Sequence, residues 1–193
     1  LEAVGSFTKV IAFVSLFFIF IDFGFNSVVL RNYYDNFEKQ FGNLVTLRLL
    51  ITITTLPILI TLAVILPYNE LLGSGFSRIE KLAIAIFGLS LIGTSLNTSL
   101  QAFLQKKLSY SHSLLPSFIS SLCLIIVVLF AVLAGNFLLI FVGYIISTSC
   151  GSLLTYYSLR KKFSLTLQLS NFWPFTRSLV AASWPLGIML GFN

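Results

Sequence analysis

Between His112 and Arg160 the chain runs for 47 residues, 113–159, without one Lys, Arg, His, Asp or Glu. A membrane-crossing helix needs about 20 mostly apolar residues, at 1.5 Å each. As one helix this stretch would be roughly 70 Å long, more than twice the thickness of the hydrocarbon core. It must therefore fold back on itself. Gly135-Asn136 is the turn signal near its middle, which predicts helices over 114–134 and 137–158. A transmembrane β-barrel would instead show ten-residue segments of alternating polarity. Runs such as Cys123–Ala134 are apolar on every side.

The rest of the chain obeys the same rule. Residues 82–105 carry no charge between Lys81 and Lys106, and 49–66 form another uncharged run that ends at Pro67. The first apolar stretch lies between Lys9 and Arg31 and is interrupted by Asp22. The expected fold class is an all-α polytopic transmembrane bundle with no soluble domain. Its spans fall at about 9–31, 46–66, 82–104, 114–134 and 137–158, with a truncated span from 178. Composition agrees: 9% of residues are charged and 57% hydrophobic, with 20 Phe, against roughly 25% charged in a soluble domain. Too few polar residues remain to cover a water-soluble fold of this size. Intrinsic disorder and a disulfide scaffold are excluded by the same composition.

Basic residues sort the loops. Arg31, Lys39, Arg48, Lys106, Lys107, Arg160, Lys161, Lys162 and Arg177 fall on one side, and Lys9, Arg78 and Lys81 on the other. The richer side is expected to be cytoplasmic. Lys39, Lys107 and Lys161 then face the cytoplasm, while Glu70, Asn136 and the N-terminus lie outside. The only Met is Met189. With an outside N-terminus and a short last span, this leads to the expectation that the sequence is the middle of a longer transporter-sized protein.

Polar side chains at membrane depth tend to face protein or water. Thr8, Ser15, Asp22 and Asn26 share one helix face. So do Ser90, Thr94, Asn97 and Gln101, which are expected to point into the bundle with the Asp22 face. Thr54, Pro57 and Thr61 share a side of the second span. Gly143, Ser147, Gly151 and Thr155 recur every fourth residue, the pattern by which membrane helices pack closely, and packing is favoured over cavity lining for them. Asp22 lies about 20 Å of helix from Lys9 and about 13 Å from Arg31, too far for Arg31 to reach it along one helix. Arg48 taken alone reads as a side chain snorkelling to the cytoplasmic interface. If residues 32–43 form a hairpin, Arg48 is also the cation best placed to pair with Asp22, with Asn26 on the same face.

Other chemistry finds little support. His112 is the single histidine, and Cys123 and Cys150 lack a CxxC partner and read as free buried thiols. Gly73-Ser74-Gly75 lacks the rest of a dinucleotide loop, and no GxxxxGK[ST] is present. Asn97-Thr98-Ser99 matches a glycosylation sequon at membrane depth, where it is a coincidence. No cofactor, metal, enzymatic activity or nucleic-acid partner is expected. The basic and aromatic stretch Leu159–Arg177 reads as a cytoplasmic loop with interfacial anchors beside membrane lipids.

Several short segments in order carry a resemblance. They are Glu2-Ala-Val-Gly-Ser-Phe7, Ile21-Asp-Phe-Gly-Phe-Asn26 followed by Leu30-Arg31, and Asn43-Leu44 with Leu47-Arg-Leu-Leu50. Further along come Leu100-Gln-Ala-Phe-Leu-Gln-Lys106 and Trp184-Pro-Leu-Gly-Ile188. Together they resemble the bacterial polysaccharide biosynthesis proteins, the O-antigen and repeat-unit flippases of the multidrug/oligosaccharidyl-lipid/polysaccharide exporter superfamily. The likeness corresponds to the second through sixth helices and the start of the seventh. It implies two pseudo-symmetric lobes of a twelve- or fourteen-helix bundle in the bacterial cytoplasmic membrane, of which this chain would be a partial first lobe. It also implies that a polyprenyl-pyrophosphate-linked oligosaccharide is moved by alternating access, with glycan polymerases as partners. Asp22 falls at the family's Asp-x-Gly position, with Arg31 and Arg48 at basic positions near it. The candidate substrate-binding or coupling residues are therefore Asp22, Asn26, Arg31, Arg48, Asn97 and Gln101. A cation-coupled small-molecule exporter of the same superfamily and a membrane-embedded glycan polymerase or transferase are the alternatives.

Overall fold

A computed structural model describes residues 2–31, 37–68, 75–163 and 172–191. Seven helices account for nearly all of them: α1 (Glu2–Asp22), α2 (Phe25–Arg31), α3 (Phe37–Ile65), α4 (Arg78–Lys106), α5 (Ser111–Leu133), α6 (Leu138–Phe163) and α7 (Phe172–Gly191). Among the described residues, five stretches are long and apolar enough to cross a membrane: Val4–Arg31, Gln40–Ile65, Arg78–Lys106, Ser111–Leu133 and Leu138–Phe163. At 1.5 Å per residue each of the four unbroken ones exceeds the roughly 30 Å of a hydrocarbon core.

The helices overrun the charge-free spans at several ends, because backbone hydrogen bonding continues through the interfacial charges where hydropathy stops. α4 starts at Arg78 because Ser77 and Glu80 form a reciprocal cap. The Ser77 hydroxyl accepts from the Glu80 N–H at 3.3 Å, and the Ser77 N–H donates to Glu80 Oε2 at 2.8 Å. This satisfies two of the donors that a helix start leaves open.

The first apolar stretch is not one continuous helix. Phe23 and Gly24 both take left-handed backbone angles, φ 38° and 72°. The last bond of α1 runs from the Phe23 N–H to Ile19 O, and α2 restarts with the Val28 N–H on Gly24 O. Glycine tolerates such a φ; a phenylalanine there is held against its preference.

The turn between α5 and α6 is where Gly135-Asn136 places it. The Gly135 N–H bonds Val132 O and the Asn136 N–H bonds Ala131 O, with Gly135 at φ 62°. This closes the helix with left-handed geometry that favours glycine. The small-residue stripe of α6 then packs directly on α5. Gly143 lies against Val127, Gly151 lies against Ser120, and Ser120 and Ser147 exchange hydrogen bonds of 2.8–3.0 Å. On the other side of α6, Thr148 presses on Gly93 of α4 so closely that a Cβ there would lie 2.7 Å from Thr148 Oγ1.

Aromatic contacts tie the two ends of the bundle. At one end, Phe7, Phe137 and Phe141 cluster, and Lys9 Nζ lies 3.9 Å from Glu80 Oε2. At the other, Lys106 Nζ donates to Val29 O and Leu30 O, Phe103 packs on Phe41 and Phe163, and Phe163 meets His112. Lys107 and Lys161 therefore lie at the end opposite Asn136. Glu70 and the hairpin residues 32–36 lie outside the described residues, as does the side chain of Lys39.

Candidate functional site

Arg48, on α3, is completely buried: none of its side-chain surface is exposed. A guanidinium at membrane depth is costly unless its donors are met. Four other groups converge on it from three helices. Arg48 Nη2 donates to Asp22 Oδ1 at 2.9 Å and to Asn26 Oδ1 at 2.7 Å. Arg48 Nη1 donates to Ser99 Oγ at 3.1 Å, and the Phe25 ring centroid lies 5.9 Å from its Cζ. The Ser99 hydroxyl in turn donates to Ser95 O at 2.9 Å. One backbone turn up α3, the Thr52 hydroxyl donates to Arg48 O.

The α1–α2 break builds this cluster. Asp22 is the last residue of α1, Asn26 sits in the first turn of α2, and the Phe23-Gly24 reversal between them lets both oxygens reach the same nitrogen. Asp22 keeps 29% of its side-chain surface exposed. The pair is thus a fully buried cation with a carboxylate at its edge. One nitrogen stays without any partner: Arg48 Nε makes no hydrogen bond among the described residues. Leaving such a group buried costs about 1–3 kcal/mol.

Arg48 does not snorkel to the interface. Its side chain turns inward because Asp22, Asn26 and Ser99 offer oxygens there. Arg31 is not brought into the cluster: it lies exposed at the end of α2. Asn97 and Gln101 are half-buried, and no hydrogen bond links either to Arg48 among the described residues. Their stripe is partly buried in the bundle, as expected, but does not join the Arg48 cluster among the described residues. Ser99 is two residues from each, about 200° round the helix. Asn97 follows Gly93 by one turn, on the side of α4 that meets α6. Ser90, on the same stripe, is buried with its hydroxyl on Phe87 O, and Thr94 bonds Ser90 O. Thr54, Pro57 and Thr61 of α3 are exposed.

Sequence reasoning missed Ser99 and Phe25. The signal for Ser99 was present, since Ser95 and Ser99 recur at i, i+4 just as Asn97 and Gln101 do. The greater polarity of Asn and Gln drew attention to their face rather than to the one that meets Arg48. Phe25 carried no distinguishing signal among 20 phenylalanines.

Helices long enough to cross a bilayer, wrapped around a buried cation whose partners come from three other helices, define a multi-pass helical membrane protein. The chain belongs to the polysaccharide biosynthesis protein family, whose profile matches residues 1–193. No curated protein and no solved structure gives a significant match.

Proposed function

We propose that the protein is a flippase that moves a polyprenyl-pyrophosphate-linked oligosaccharide across the bacterial cytoplasmic membrane by alternating access, and that it catalyses no covalent chemistry. The observation that carries this reading is the buried Arg48, held by Asp22, Asn26 and Ser99 at membrane depth. An anionic pyrophosphate crossing the membrane needs a cation and hydrogen-bond donors in its path. In the arrangement seen here the guanidinium is closed off by its own carboxylate. Separation of the α1–α2 break from α3 would free Nη2, and with it a donor pair suited to a phosphate oxygen. Asp22 then acts as the internal stand-in for the substrate anion: it holds Arg48 when the site is empty and yields it when the site is loaded.

Arg31, exposed at the basic end, would draw the pyrophosphate toward that opening. Asn97 and Gln101 are assigned to the glycan or to helix packing on the α6 side, separate from the Arg48 cluster. Phe17, Phe20, Phe23 and Phe25 line an apolar groove of 720 Å³ next to the cluster, a surface suited to a polyprenyl chain. The basic end is assigned to the cytoplasm by the positive-inside rule.

Complementation of a flippase-null strain by the intact protein tests the site. Asp22→Asn and Arg48→Ala should each abolish or strongly reduce surface glycan at normal membrane levels, with Arg48→Ala at least as severe. Full complementation by both variants would remove the assignment. A cation-coupled exporter differs in one readout: Asp22→Asn would then abolish the proton- or sodium-dependence of transport, whereas Arg48→Lys would be tolerated.

A further inference from the structure

On the face formed by α5 and α6, at the end that carries Lys106 and Lys107, lies an open groove of 760 Å³. Its polar end is formed by His112, Ser158, Lys161 and Lys162, and its floor by Leu115, Ile119 and Leu154. No acidic side chain lines it among the described residues. Lys161 and Lys162 are exposed in the last turn of α6. The Lys162 ammonium lies 5.3 Å from the Phe163 ring, which also meets the His112 ring at 6.4 Å. The Ser111 hydroxyl sits 3.1 Å from His112 Nδ1. Two cations, hydroxyl groups and an imidazole therefore stand at the mouth of an apolar groove between the start of α5 and the end of α6.

We infer that this groove binds an anionic glycerophospholipid of the surrounding bilayer, with the phosphate between Lys161 and Lys162 and an acyl chain along Leu115, Ile119 and Leu154. Charge complementarity selects the headgroup: two lysines in a groove without a carboxylate attract a phosphodiester, and the apolar floor takes the attached chain. The volume suits one headgroup and the upper part of its chains. Position selects the bilayer lipid over the transported one. α5 packs on α6 and marginally on α4, whereas the Arg48 cluster is built by α1, α2, α3 and α4. None of the residues that line the groove belongs to that cluster.

The test is native mass spectrometry of the intact protein extracted from vesicles of equal phosphatidylglycerol and phosphatidylcholine. The wild type should retain phosphatidylglycerol in preference. The double variant Lys161→Gln/Lys162→Gln should lose roughly thirtyfold in affinity for it. A charge-matched control outside the groove, Lys107→Gln/Arg160→Gln, should keep the preference, and Lys161→Arg/Lys162→Arg should keep most of it. Equal loss in the charge-matched control would reduce the effect to general surface attraction and overturn the site. Displacement of the retained lipid by millimolar inorganic phosphate, or by an equimolar polyprenyl pyrophosphate, would assign the groove to another phosphate source and overturn the proposal as well.

Discussion

Replacing Asp22 by Asn removes the counter-charge of Arg48 and changes almost nothing in shape. The Arg48 side chain is 0% exposed and that of Asp22 is 29% exposed, so the two partners are unequal. Breaking a buried pair by neutralising one member costs about 3–5 kcal/mol when the survivor is an uncompensated buried charge. Here Asn26 and Ser99 still accept from the guanidinium, and the new side-chain amide would keep an oxygen near Nη2, so we expect about 2–3 kcal/mol. The reverse change, Arg48→Met, leaves a carboxylate that keeps 29% of its side-chain surface exposed, and should cost only about 1–2 kcal/mol. The double variant has no unpaired charge and should cost about 1–2 kcal/mol, giving a coupling energy on the order of 2 kcal/mol. The assay is reversible unfolding in mixed micelles as the SDS fraction rises, followed by the fluorescence of Trp173 and Trp184. Additivity of the two single changes within about 0.5 kcal/mol would refute the reasoning, because residues in one ion pair cannot be energetically independent.

Gly93→Ala places a methyl group 2.7 Å from Thr148 Oγ1 and 3.0 Å from its carbonyl carbon. α4 and α6 must separate, and the same unfolding assay should show a loss of about 1–3 kcal/mol. Leu108 is the left-handed residue after α4, at φ 50°, and it is 81% exposed. Leu108→Gly should therefore raise stability in that assay, by up to about 1 kcal/mol, with transport unchanged. For topology, Lys107→Cys should be protected from an impermeant thiol reagent in intact spheroplasts and Asn136→Cys labelled. The opposite pattern would invert the orientation drawn from the basic residues.

The membrane-spanning character and the helical periodicity were written in residue order, and so were legible. A 47-residue uncharged run forces a hairpin wherever its one turn signal lies, and Gly135-Asn136 is that turn. The Gly143, Ser147, Gly151 and Thr155 stripe announces a close-packed face, because small residues at every fourth position let a neighbouring helix approach and gain nothing against lipid. The family, too, was legible in the order of its short segments. Asp22 with Arg48 was inferable as well, since a carboxylate and a guanidinium on neighbouring helices lower each other's cost.

Tertiary structure decided the rest. A helix's sequence states which residues share a face; it does not state which neighbour that face meets. On α4 two polar faces were available, one with Asn97 and Gln101 and one with Ser95 and Ser99, and only the packing of α3 against the second selects Ser99 as the partner of Arg48. The break at Phe23-Gly24 is of the same kind. Its Asp-x-Gly spelling is local, but Phe23, at its left-handed φ, packs against a core cluster and lines a groove with Ile51 and Thr55 of α3, residues far along the chain. Local chemistry sets the period and the cost of each polar group. Where that cost is relieved depends on which helices lie side by side.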